Sequence, residues 1–113
     1  MSAEGFEARV RERGATAVID LIGEINGAAE DALGTAYDEA VQDKPERVLL
    51  NFGGASYINS TGIAVIVGVL ARARRDRITI LAAGLSEHYR QIFEITRLAD
   101  FMTIYPDEAS AVA

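Results

Sequence analysis

The sequence has no cysteine, no tryptophan and one histidine, and its only lysine is Lys44. Without cysteine there is no disulfide framework, no thiolate nucleophile and no Cys-based zinc site, which fits a reducing compartment and makes a cytoplasmic location the expectation. A Ser-His-Asp hydrolase needs an imidazole within reach of its serine. Here the one imidazole, His88, lies in a charged segment, no G-x-S-x-G elbow exists, and the expected role of His88 is that of a solvated surface residue. A Walker G-x-x-x-x-G-K-[ST] and a G-x-G-x-x-G are also missing, and Lys44 falls in a predicted loop, so nucleotide hydrolysis lacks its usual parts. Positive charge is scarce: 17 Asp and Glu against 11 Lys and Arg leave a formal net charge of −6, the wrong sign for neutralising nucleic-acid phosphates. The uncharged stretch Phe52 to Ala71 is broken by Gly, Ser, Asn and Thr, and its apolar half is too short for a bilayer core of about 30 Å, so no membrane insertion is expected. The opening "MSAEGFEARVRERG" has mixed charges and no apolar core, unlike an export signal.

What is present is the composition of a folded domain: 113 residues, 50% apolar and 25% charged, enough for one core of helices on a sheet and not for two. "FEARVR" (Phe6 to Arg11) alternates with the period of a half-exposed strand, "RERGAT" reads as a turn, and "TAVIDLIG" (Thr16 to Gly23) is a second strand, predicting an antiparallel hairpin. The period then changes. Ala29, Leu33, Ala36, Tyr37, Ala40 and Val41 share a helical face, with Asn26 as candidate N-cap and Glu30 and Asp31 in the first turn, where negative charge suits the helix dipole. "RVLLNF" (Arg47 to Phe52) is a buried strand and "GGASYINS" a loop; Ile63, Ile66, Val67 and Leu70 then mark a helix from Thr61 to about Arg74. "ITILAA" is a strand, "SEHYRQIFEI" a helix capped by Ser86, "FMTIY" a strand and "PDEASAVA" a short helix begun by Pro106. The order ββαβαβαβα predicts an α/β fold, a mixed sheet with parallel crossovers and helices packed against it, in a single domain over residues 1–113.

Two charged groupings read as structural. Glu30, Asp31, Asp38 and Glu39 lie where a solvated helix face would put them, with no His or Cys beside them to suggest a metal site. Arg72, Arg74, Arg75 and Arg77 sit at a helix C-terminus, where cations complement the dipole; an acidic partner surface is the alternative. The polar group Asn59-Ser60-Thr61-Gly62 is different, because it stands between a buried strand and a helix start. Read alone, Asn59 or Ser60 is an N-cap worth about 1 kcal/mol. A phosphate on Ser60 would add roughly −1.5 to −2 charges at pH 7, which the positive end of the helix would tolerate.

Three segments, in order and spacing, extend that second reading. "LIGEIN" (Leu21 to Asn26), "VLLNFGGASYINSTGIAVIVG" (Val48 to Gly68) and "YRQIFEITRLADFMTIYPDEASAV" (Tyr89 to Val112) resemble the STAS domain, specifically the single-domain anti-sigma factor antagonists, whose corresponding motifs are L-x-G-E-[LI]-D, V-x-[FY]-[ML]-D-S-[ST]-G with its following helix, and a closing helix–strand–helix. The resemblance implies a STAS-like fold and a protein that is a substrate rather than a catalyst. It implies that an anti-sigma factor serine kinase binds the unmodified chain and thereby releases its sigma factor, and that phosphorylation at Ser60, with Thr61 as the alternative acceptor, weakens binding until a serine phosphatase resets it. The implied partner surface comprises Asn26, Tyr57, Ile58, Asn59, Ser60, Thr61, Gly62 and Ile63, with the loop after Gly23; no cofactor or metal is implied, and the chain is expected to be a monomer or weak dimer.

The sequence departs from that pattern at Asn26 and Asn59, both usually Asp, and at Arg97, usually Gly. An amide caps as well as a carboxylate but accepts no proton, so the departure at Asn59 predicts that Ser60 is a slow phosphoacceptor or none. The alternative reading is a STAS scaffold whose binding is independent of phosphorylation, or a subunit associated with a transporter.

Overall fold

In the computed structural model, which describes residues 5–113, five strands lie side by side in chain order. β1 (Glu7–Arg13) and β2 (Thr16–Ile25) form the expected antiparallel hairpin. β3 (Arg47–Ile58), β4 (Thr79–Ala83) and β5 (Thr103–Tyr105) then add in parallel. Parallel neighbours need a crossover. α1 (Glu30–Ala40), α2 (Ser60–Asp76) and α3 (Glu87–Ile95) supply the three, and α4 (Glu108–Val112) follows β5, reproducing the order read from the sequence.

Because each crossover steps in the same direction and crossovers are right-handed, α1, α2 and α3 fall on one face of the sheet. The strands' period-2 alternation sorts their side chains accordingly. Ile19, Leu21, Val48, Leu50, Phe52, Ile80 and Ala82 pack against Leu33, Tyr37, Ile66, Leu70 and Phe93 of the helices. Phe52 and Phe93 meet edge to face, centroids 5.7 Å apart, and each fully buried side chain of this size contributes about 1.5–3 kcal/mol. Val18, Leu49, Leu81 and Ala83 point to the other face, where α4 covers them through Ala111. Arg11 ties that cover down: Nε and Nη2 donate to Asp20 at 2.7 and 2.8 Å, and Nη2 donates to Glu108 Oε1 at 2.8 Å. Arg13 adds a 2.8 Å bond to Glu108.

The strand ends differ from the sequence reading. Residues 53–58, expected as loop, continue β3, because β2 runs past Gly23 to Ile25 and offers a partner ladder: Ile22 pairs with Gly54, Gly23 with Ala55, Glu24 with Tyr57 and Ile25 with Ile58. The local Gly-Gly loop signal lost to tertiary pairing. Leu98–Phe101 coil into a 3-10 turn, which shortens the last strand to three residues. α4 starts from Asp107, whose side chain accepts the Ser110 N–H at 2.8 Å, so Pro106 lies one step outside. Arg97 has φ 68, the left-handed region where glycine is unstrained. The glycine usual at this position in the resembled pattern thus has a conformational reason.

α2 begins one residue earlier than expected and buries a stripe rotated from the predicted one: Gly62, Ile66, Val69, Leu70 and Ala73. Val67, predicted for the core, is instead 44% exposed. Among the described residues no helix is long and apolar enough to cross a membrane.

Candidate functional site

The carboxyl ends of β2 and β3 pair at Ile25 and Ile58, and each strand hands over to a helical turn with one residue, Asn26 or Asn59, between. Asn26 and Asn59 are extended and act as caps; Asn59 caps α2 as read from the sequence, whereas Asn26, expected to cap α1, caps the 3-10 turn before it, and the N-cap of α1 is Ala29. Asn26 Oδ1 accepts the Ala28 N–H at 2.9 Å, opening a 3-10 turn over 27–29, and Asn59 Oδ1 accepts the Gly62 N–H at 2.8 Å, opening α2.

The two junctions are also bonded to each other. Asn59 N–H donates to Ile25 O at 3.2 Å. Thr61 Oγ1 donates to Asn59 Oδ1 at 2.8 Å and accepts from Gly27 N–H at 2.9 Å, bridging residues 34 apart in sequence. Gly62 permits this approach: a Cβ there would sit 1.9 Å from Ile25 O. Tyr89 reaches in from α3, its hydroxyl accepting the Ile58 N–H at 3.0 Å. These links join segments far apart in the chain, and no local sequence signal announces them.

Of the expected partner surface, the structure brings Asn26, Tyr57, Asn59, Ser60 and Thr61 to one end of the sheet, with Tyr57 53% exposed and Ser60 and Thr61 exposed. The expectation that Ile58 and Gly62 share that exposure is corrected. Ile58 is 5% exposed because its side chain faces the helical layer, and Gly62 is buried by its contact with β2. Ile63 is half-buried against the core. From Ser60 the exposed face continues beyond the expected residues along α2, where Ala64, Val67 and Gly68 recur at helical spacing and are all exposed.

The hydroxyls of Ser60 and Thr61 are chemically unequal. That of Thr61 is used as both donor and acceptor, whereas Ser60 Oγ makes no hydrogen bond among the described residues. Ser60 is the first residue of α2, so the first-turn N–H groups and the positive end of a 17-residue helix lie beside it. The other candidate groups stay apart from this site. His88 is exposed and packs edge-on against Tyr89. Arg72 pairs with Asp38 and lies 4.6 Å above the Tyr37 ring, and Arg74 lies over Phe101. Among the described residues no group of His, Cys, Asp and Glu could hold a metal ion.

Comparison with known proteins places this geometry. The STAS domain family profile matches residues 7–111. BtrV of Bordetella bronchiseptica, assigned by name as an anti-sigma factor antagonist, is 31% identical over 97 residues, covering 82% of this chain and 81% of that protein. The crystal structure of an anti-sigma factor antagonist from Mycobacterium paratuberculosis superposes with a TM-score of 0.79 at 16% identity, covering 98% of this chain and 94% of that one. The Bacillus cell fate determinant SpoIIAA in its phosphorylated form superposes with a TM-score of 0.66 at 20% identity, covering 95% and 96%. With a family profile that matches residues 7–111 and a fold that superposes over nearly the whole length, the chain belongs to the STAS domain family.

Proposed function

We propose that this chain is an anti-sigma factor antagonist in a partner-switching circuit, and that Ser60 is its phosphoacceptor. The unmodified protein binds an anti-sigma factor serine kinase and so frees a sigma factor; phosphorylated Ser60 weakens that complex, and a serine phosphatase restores it. The observation that carries the reading is the inequality of the two hydroxyls: Ser60 is exposed at the head of α2 and unbonded among the described residues, while Thr61 is spent on structure. BtrV's assigned role and the existence of a phosphorylated SpoIIAA structure support it.

Physically, the phosphate is tolerated by the fold because it sits at the positive end of a helix, and resisted by the complex because a near-dianion must be desolvated at the contact. A penalty of about 3 kcal/mol already lowers affinity more than a hundredfold. Tyr57 and Val67, exposed apolar groups flanking Ser60 along the chain, supply contact area of the kind that anchors interfaces.

The test is phosphate mapping by mass spectrometry after mixing the chain with its cognate kinase and ATP, with affinity measured for Ser60→Ala and Ser60→Asp. The proposal requires label on Ser60 and tighter binding by Ser60→Ala than by Ser60→Asp. Label confined to another residue removes the site assignment. Equal binding by both variants would favour the second reading, a scaffold or transporter-associated subunit without phospho-control, which the amide at Asn59 in place of a carboxylate supports.

A further inference from the structure

We propose that Asn26–Gly27 is a site of spontaneous covalent conversion, asparagine to aspartate or isoaspartate, and that the Thr61 hydroxyl holds it in check. Asparagine followed by glycine is the pair best suited to cyclise, because glycine carries no Cβ to shield its nitrogen. The Gly27 nitrogen loses its proton to base and bonds to Asn26 Cγ; the Cγ–Nδ2 bond breaks, and ammonia leaves carrying that proton. Water then adds at either carbonyl of the cyclic imide and breaks one of its C–N bonds. Attack on the side-chain carbonyl returns the main chain with aspartate, and attack on the main-chain carbonyl leaves isoaspartate, with an extra methylene in the backbone. Water and base are the only co-reactants.

The pair is accessible: Gly27 is exposed and Asn26 partly so. Packing does not demand glycine at 27 either, since a Cβ there would meet only Thr61, at 3.5 and 3.6 Å, an ordinary contact. What restrains the reaction is the hydrogen bonding. The attacking nitrogen's own proton is donated to Thr61 Oγ1 at 2.9 Å. Thr61 Oγ1 is oriented for that role by giving its proton to Asn59 Oδ1 at 2.8 Å. The amide to be attacked is held forward by the Ala28 N–H at 2.9 Å, on extended backbone with ψ −168. Cyclisation requires both restraints to open, so its rate reports opening of the junction between the two strand ends. Either product carries a new negative charge beside Ile25, whose carbonyl holds Asn59, and isoaspartate lengthens the backbone there as well.

The experiment incubates folded wild type, Thr61→Val, Thr61→Ser and Gly27→Ala in mildly alkaline buffer. Conversion at position 26 is followed by peptide mass spectrometry and by isoaspartyl methyltransferase labelling, with urea-unfolded samples giving the unrestrained rates. Thr61→Val should convert about fivefold faster than wild type when folded, the factor of one ordinary hydrogen bond. Thr61→Ser should stay near the wild-type rate, Gly27→Ala should be the slowest, and unfolding should erase the difference between wild type and the Thr61 variants. Equal folded rates for wild type and Thr61→Val overturn the proposal, as does a Thr61→Ser rate matching Thr61→Val. If Thr61→Val does not fold, the wild type alone decides: folded and unfolded chains converting at the same rate also overturn it.

Discussion

Gly62→Ala sets two effects of opposite sign against each other at the head of α2. Alanine is the better helix former by about 1 kcal/mol, and in an open helix this exchange stabilises. Here the added Cβ would fall 1.9 Å from Ile25 O and 2.6 Å from Ile25 C. Both are backbone atoms of a paired strand, so no side chain can swing away. Relief requires moving the start of α2 away from β2 by more than an ångström, since real contacts of this kind begin at about 3 Å. That movement stretches two bonds joining the junctions, Asn59 N–H to Ile25 O at 3.2 Å and Gly27 N–H to Thr61 Oγ1 at 2.9 Å. Overpacking a close-fitted site costs about 1–3 kcal/mol, and two weakened hydrogen bonds add about 1 kcal/mol. With roughly 3 kcal/mol lost and about 1 kcal/mol recovered, the net destabilisation is about 2 kcal/mol. In a domain of this size that lowers Tm by about 8 °C. Urea and thermal unfolding monitored by circular dichroism measure it, with Gly27→Ala as the matched control, expected within about 0.5 kcal/mol of wild type because its Cβ has room. A Gly62→Ala protein as stable as wild type, or more so, would refute the close approach of α2 to β2.

Asn59→Asp should fold as wild type, because a carboxylate keeps both hydrogen bonds that Asn59 Oδ1 accepts and gains from the helix dipole; it should also raise the rate at which a cognate kinase labels Ser60, and an equal or slower rate in a radiolabel time course would remove the role given to a carboxylate there. Arg11→Ala should weaken the fold in a pH-dependent way. The Arg11 hydrogen bonds are the largest influence holding the Asp20 and Glu108 carboxyls below their ordinary range. A lowered folded pKa contributes stability that is fully present above the unfolded value, about pH 4, and is lost as pH falls through the folded value. The gap between wild type and Arg11→Ala in urea unfolding should therefore be widest near neutrality and close in acid; a gap that does not change with pH contradicts the ion-pair account.

Much of this was legible in local sequence because the signals are themselves local. Side-chain caps act over two or three residues, so Asn26, Asn59 and Ser86 could be read directly, and all three accept the N–H bonds a cap should. The helical face of Leu33, Ala36, Tyr37 and Ala40 followed from spacing alone. The errors came where a partner was out of view. Residues 53–58 look like a loop until β2 is extended beside them, and Val67 looks like core until Gly62 turns α2 to bring its own backbone against Ile25.

The sequence by itself determined the order of elements and that parallel crossovers would join the later strands, because periodicity and capping are properties of short stretches of chain; the side-by-side order of the strands, and with it the one face that α1, α2 and α3 cover, came from the tertiary structure. Its resemblance to the STAS pattern also pointed to the hydroxyls at the start of α2 as the proposed site. How the two hydroxyls differ was decided only by the tertiary structure: Thr61 is bound by a glycine N–H from 34 residues earlier, and Ser60 Oγ makes no hydrogen bond among the described residues. Hydrogen bonds between distant segments depend on how strands and helices pack, and that packing is a property of the whole core.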